Sequence, residues 1–183
     1  IGFCLVGSEM CIRDSVATIR ALKMHGGVEK ENLKKEDTDS LKKGLINLER
    51  HILNIKKFGL EPIVAINHFA LDTKKEIDVV LNFCKDIKVQ VSECKHWAMG
   101  GKGTTDLAKK VVKICKDSKK SNFKFLYEDS LNLWDKIEKI VKEIYRGDRV
   151  IANEDIKEKL KVFESNGYKN LPVCIAKTQY SFS

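Results

Sequence analysis

Apolar residues along the chain fall into alternating helical and strand-like patterns. Leu41, Leu45, Leu48, Ile52 and Ile55 recur at intervals of three and four, the stripe of an amphipathic helix, which Gly59 and Pro62 bring to an end. Pro62 to Asn67 follows as a short, almost continuously apolar run, the pattern of a strand covered on both faces. Asp72 and Thr73 can cap a second helix through Ile77, Val80, Leu81 and Cys84. Ile87 to Val91 then predicts another strand. A loop runs from there past Trp97 to the turn Gly100-Gly101-Lys102-Gly103, and a third helix begins near Thr105 and carries Leu107, Val111, Val112 and Cys115. Strand and helix alternating at this spacing imply parallel pairing and right-handed crossovers. The expected class is α/β, a mostly parallel sheet with flanking helices.

The flanks read less regularly. Ser15 to Lys23 begins as a β-branched run and predicts the end of a strand, followed by the loop Met24-His25-Gly26-Gly27, and Glu29 to Asp39 is a polar excursion. Phe123 to Tyr127 is a candidate short strand, Leu131 to Tyr145 and Glu154 to Ser165 are candidate helices, and Leu171 to Ala176 is a candidate last strand. Residues 1–14 match no flanking pattern. The run from Cys4 to Ser15 resembles translated adapter read-through at the end of an assembled gene, so this segment is expected to lie outside the fold. The other terminus stops directly after an apolar run and looks cut.

Composition changes the picture little. With 43% hydrophobic and 33% charged residues the chain reads as an ordinary water-soluble globular protein, and no apolar run approaches the roughly 18 residues of a membrane span. A formal charge of +8 raises the question of nucleic acid. The lysines, however, are interspersed with acids, as in Asp135 to Lys139 and Glu154 to Lys159, which is how solvated helix faces look. No nucleic-acid or membrane partner is expected. The six cysteines contain no C-x-x-C pair and the four histidines no ligand spacing, so neither a disulfide framework nor a metal site is expected.

Candidate chemistry lies in loops. In open parallel sheets ligands sit outside the carboxyl ends of the strands, where backbone donors and helix N-termini meet. Three loops are expected there: Lys23 to Gly27, with His25 and Gly26; Asn67 to Asp72, with Asn67, Phe69 and Ala70; and Ser92 to Gly103, with Trp97, Gly100, Gly101 and Gly103. Trp97 and Phe69 could clamp a flat heterocycle, or they could plug the end of the sheet. Gly100 to Thr105 is not a Walker A loop, because Lys102 is followed by Gly103 and no glycine stands five residues before Gly101. It could admit a ligand close to the backbone or simply start a helix.

Five separated segments carry a resemblance: Val16 to Gly27, Gly44 to Ile52, Ala65 to Phe69 with Asp72-Thr73, Trp97 to Gly103, and Leu171 to Ser183. In order and spacing they resemble the formate–tetrahydrofolate ligases over nearly all of residues 15–183. The resemblance implies a fragment of a P-loop NTPase-like ligase. Such an enzyme uses ATP with Mg2+ to make formyl phosphate and passes the formyl group to N10 of tetrahydrofolate, releasing ADP and phosphate. Formate, tetrahydrofolate and ATP are then the partners, a homo-oligomer (tetramer) the assembly and the cytoplasm the location.

The resemblance also places the pterin between Phe69 and Trp97, with Ala70 standing where the family commonly has Pro. It leaves the catalytic residues unassigned. It puts the Walker A region, with much of the nucleotide machinery, in an N-terminal part absent from this sequence. Residues 15–58 would then end the nucleotide-binding domain and 59–183 form a folate-side α/β domain. The competing readings are a non-catalytic basic α/β binding module and a cysteine-based redox or metal protein, neither of which has a motif behind it.

Overall fold

The computed structural model describes residues 14–117 and 123–175, which form two compact units. In the first, β1 (Asp14–Ala17), β2 (Ile63–Asn67) and β3 (Gln90–Cys94) make a parallel sheet in the order β1-β2-β3. Val64 pairs with Ser15 on one side and Val91 on the other, and Asn67 pairs with Cys94 at the carboxyl end. Five helices accompany the sheet: α1 (Ile19–His25), α2 (Thr38–Lys57), α3 (Lys74–Asp86), the single turn α4 (His96–Met99) and α5 (Thr105–Asp117).

The central strand explains its own sequence. Ile63, Val64, Ala65 and Ile66 are all buried because both faces of β2 are covered. Val64 and Ile66 join Leu22 of α1, Leu41, Leu45, Leu48 and Ile52 of α2, and Ile77, Val80 and Cys84 of α3 in one cluster. Ser92 of β3 is also buried, and its Oγ donates to Asp106 of α5 at 2.6 Å. Lys110 of α5 donates to Asp106 and to the Val91 carbonyl, both at 2.7 Å, so α5 is keyed to β3 by polar contacts.

A buried ion pair ties the helices together. Lys23 near the end of α1 donates to Glu76 Oε1 at 2.8 Å, with side chains only 3% and 0% exposed. Its Nζ also reaches the Lys35 carbonyl at 2.8 Å. Glu76 Oε1 accepts from the Asp37 N–H at 3.1 Å, and Oε2 from the Thr73 N–H at 3.2 Å. Thr73 and Glu76 form a reciprocal capping box at the start of α3, while Asp37 caps α2 through Ser40. Burial pushes the Glu76 carboxyl up, but the bonds from Lys23, Asp37 and Thr73 outweigh it and hold it below its usual range.

The α1–α2 crossing is closer than side chains allow. A Cβ on Gly44 would lie 1.8 Å from the Leu22 carbonyl oxygen, and one on Gly26 would lie 1.8 Å from that of Ser40. Both positions are glycine because one backbone rests on the other.

Several expectations are corrected. Thr18 accepts from the Ala21 N–H and starts α1, so the β-branched run becomes four residues of strand and then helix. His25 and Gly26 consequently lie at the far end of α1, not at the carboxyl end of a strand. The third strand begins at Gln90 because Ile87 and Lys88, the latter at φ 56°, make the turn out of α3. β1 already includes Asp14, one residue inside the segment expected to lie outside the fold; residues 1–13 are outside the described residues. α2 shares its core with β2, and both lie in the first compact unit.

The second unit is helical. Its helices are α6 (Leu133–Ile140), continued by a wider turn to Tyr145, and α7 (Glu154–Phe163), continued likewise to Tyr168. Phe123 to Tyr127 is not a strand, and neither are residues 171–175; Ala176 and Lys177 to Ser183 lie outside the described residues. Lys136, fully buried on α6, donates to the carbonyls of Lys169 at 2.7 Å and Leu171 at 3.1 Å. The Tyr127 hydroxyl accepts from the Val173 N–H at 2.9 Å. These bonds replace the ladder that a last strand would have formed.

Three outcomes are expected from this packing. Lys23→Met leaves Glu76 buried without its counter-charge and should cost about 3–5 kcal/mol in urea unfolding. Because the Glu76 carboxyl is held low, its stabilisation is present above the ordinary carboxylate range and lost as pH falls through its folded value, so Glu76→Gln should flatten the acid limb of the stability profile. Gly44→Ala should destabilise, although the same change in an open helix stabilises by about 1 kcal/mol.

Candidate functional site

The carboxyl ends of β2 and β3 lie side by side and are stitched past the last strand pair. The His68 N–H donates to the Cys94 carbonyl at 3.0 Å. His68 Nδ1 is hydrogen-bonded to Glu93 Oε1, and Lys95 Nζ lies 3.2 Å from the same oxygen. Burial pushes the Glu93 carboxyl up, but hydrogen bonds from His68 and Lys95 outweigh it and leave it below the usual carboxylate range. Glu93 is therefore an ionised acceptor at neutral pH.

Phe69 follows His68 directly. Its N–H donates to Asp72 Oδ2 at 2.8 Å, and the Asp72 N–H returns a bond to the Phe69 carbonyl at 2.9 Å. Asp72 thus closes this loop and leaves the capping of α3 to Thr73. The reciprocal pair restrains the turn in which Ala70 sits exposed. The Arg20 guanidinium, on α1 just after β1, stands 5.2 Å from the Phe69 ring centroid. Asn67 Oδ1 is buried and has no hydrogen-bond partner among the described residues.

Trp97 lies on α4, beyond the end of β3, and is 82% exposed. Met99 on the same turn is 55% exposed. Among the described residues nothing covers most of its ring. Behind it Gly100 adopts φ 56° and ψ −145°, a conformation open to glycine, and the chain turns through Gly100–Thr104 into α5. A Cβ on Gly103 would lie 2.4 Å from the Lys95 carbonyl carbon, and the Lys95 N–H donates to the Gly103 carbonyl at 3.0 Å. Gly101 has open space around it.

The structure thus gathers Asn67, Phe69, Ala70 and Trp97 with the glycines 100, 101 and 103 at two adjacent strand ends. It leaves His25 and Gly26 at the other end of α1. Sequence patterning missed Arg20, Glu93 and the pairing of His68. Glu93 stands next to last in β3, one position short of the Asn67–Cys94 pair, so only the strand register reveals that His68 can reach it. Among the described residues no group of three or more His, Cys, Asp or Glu could hold a metal ion, and none of the described helices is long and apolar enough to cross a membrane. The four described cysteines form no disulfide; Cys84 and Cys94 are buried, Cys115 and Cys174 exposed. Burial raises the Cys84 thiol to about 11, which makes it inert as a nucleophile at neutral pH.

The family model described as formate–tetrahydrofolate ligase matches residues 9–183. The chain belongs to that family. A formate–tetrahydrofolate ligase of Pelagibacter ubique (strain HTCC1062) is 56% identical over 168 residues, 92% of this chain and 30% of that protein. One of Staphylococcus aureus (strain JH9) is 52% identical over the same length and with the same coverage. The chain therefore spans about 30% of the length of these ligases. The match extends through both compact units, so the helical second unit is as much part of the ligase family as the sheet.

The Phe69–Asp72 closure can be tested directly. Asp72→Ala should speed hydrogen exchange of the Phe69 amide about three- to tenfold, the worth of one hydrogen bond, with α3 protection unchanged. Unchanged exchange at Phe69 would mean that the loop is held by something else.

Proposed function

We propose that this chain is the folate-side part of an ATP-dependent ligase that joins formate to tetrahydrofolate, giving 10-formyltetrahydrofolate, ADP and phosphate. The observation that carries the reading is the exposure of Trp97 after β3 with Phe69 after β2, one aromatic beyond each of two neighbouring strand ends, in a chain of this family. A pterin is flat and about the size of a purine, and stacking on aromatic side chains is worth about 1–3 kcal/mol per base in nucleic-acid systems. The Arg20 guanidinium over the Phe69 ring adds positive charge to the same end of the sheet.

The reaction needs more than this chain's described residues offer. The sequence contains no G-x-x-x-x-G-K-[ST] loop, and phosphoryl transfer depends on positioning and charge neutralisation around the phosphates. Mg2+ would come with the nucleotide phosphates, since it is ordinarily held by them and water with only one or two carboxylates. The part played by these residues is to bind and orient the folate.

Trp97→Ala and Phe69→Ala should each weaken tetrahydrofolate binding to the chain about ten- to a hundredfold by titration calorimetry, since 1.4 kcal/mol is a factor of ten. The melting temperature should hold for Trp97→Ala because the ring is exposed. Equal loss of stability and binding would favour the plug over the clamp. The purified chain alone should give no ATP turnover dependent on both formate and tetrahydrofolate.

A further inference from the structure

We propose that His68 is a ligand-contacting residue of this site, its Nε2 accepting a hydrogen bond from an N–H donor on the edge of the bound heterocycle. The inference rests on the folate-side reading above and deepens it. His68 sits at the carboxyl end of β2 immediately before Phe69, and its backbone is fixed by the bond to the Cys94 carbonyl. The ring is fixed by Glu93, which Lys95 also holds.

The tautomer follows from Glu93. An ionised carboxylate only accepts, so the shared proton in the His68–Glu93 bond belongs to Nδ1, and Nε2 is the ring nitrogen left for a ligand. The side chain is 24% exposed, and no described residue pairs with Nε2. A ring held this firmly by one nitrogen offers the other as an oriented acceptor. Asn67, the preceding residue, presents a second acceptor in want of a donor, its buried Oδ1. Buried acceptors without donors are uncommon in folded proteins. An oriented acceptor at a strand end, with Phe69 next in sequence, suits a flat ligand whose rim carries N–H groups. The reduced pterin, with amino and ring N–H donors, is of that class.

The test separates ligand contact from scaffolding. His68→Asn keeps a donor where Nδ1 stood, preserving the Glu93 bond, but removes Nε2; His68→Gln places an amide where Nε2 stood and gives up the Glu93 bond. Tetrahydrofolate, kept reduced, is titrated calorimetrically into the full chain and both variants, with thermal melts alongside. His68→Asn should bind about three- to tenfold more weakly at nearly unchanged melting temperature, the worth of one hydrogen bond. His68→Gln should bind more tightly than His68→Asn. Nitrogen chemical shifts of His68 in the free chain should show the neutral ring protonated at Nδ1.

Wild-type affinity in His68→Asn, weaker binding by His68→Gln than by His68→Asn, or a ring protonated at Nε2 would each overturn the proposal. If Trp97→Ala weakens binding while His68→Asn does not, only the histidine contact fails. If wild-type chain does not bind tetrahydrofolate, or Trp97→Ala, Phe69→Ala and His68→Asn all leave binding unchanged, the folate site falls and the histidine contact with it.

Discussion

Lys23 and Glu76 leave water together, and the first unit is arranged around the need to solvate them. Either charge alone in that position would be costly, and the pair offsets its desolvation through the further hydrogen bonds each partner makes. Lys23 takes the Lys35 carbonyl, and Glu76 takes the N–H groups of Asp37 and Thr73. Those partners are the end of the polar excursion, the cap of α2 and the cap of α3. One ion pair therefore fixes where two helices begin and where α1 runs. Packing α1 onto α2 at backbone contact through Gly26 and Gly44 is possible only with that placement.

The functional end of the sheet inherits these constraints. Thr73 directly follows Asp72, which closes the Phe69 loop, so anchoring the start of α3 anchors the loop before it. Arg20 lies three residues before Lys23 on α1, and the buried ammonium at one end of that short helix sets where the guanidinium at the other meets the Phe69 ring. The second loop is steadied differently. It is held by Lys95 and Gly103 across its neck and by α5 keyed to β3 through Ser92. Phe69 is thus set by a buried charge, and Trp97 by a backbone closure.

What could be read from sequence follows from how local each cause is. The stripe from Leu41 to Ile55 and the run from Ile63 to Ile66 declare themselves, because burial on one helix face or on both strand faces imprints directly on residue type. β3 was read three residues early because the turn at Lys88 takes a positive φ without glycine to mark it. Residues 171–175 look like a strand because they are apolar; their backbone bonds go instead to Tyr127 and Lys136, far away in sequence. At the site, Phe69 and Trp97 stand out by type and context. Arg20, Glu93 and the buried charge of Lys23 do not, since an ordinary charged residue reveals its role only when the register and the helix crossings are known.

Lys136 has a consequence for the order of events in folding. Its ammonium is buried against carbonyls 33 and 35 residues further on, and Tyr127 is tied to a backbone group 46 residues away. Until the segment around residues 169–173 exists, α6 would have to bury a lysine with nothing to receive it, so α6 has no stable resting place on a growing chain. Closing loops of this length is paid in entropy before any contact rewards it, which slows folding. The helical unit is therefore a late event that waits for its own far end to be synthesised.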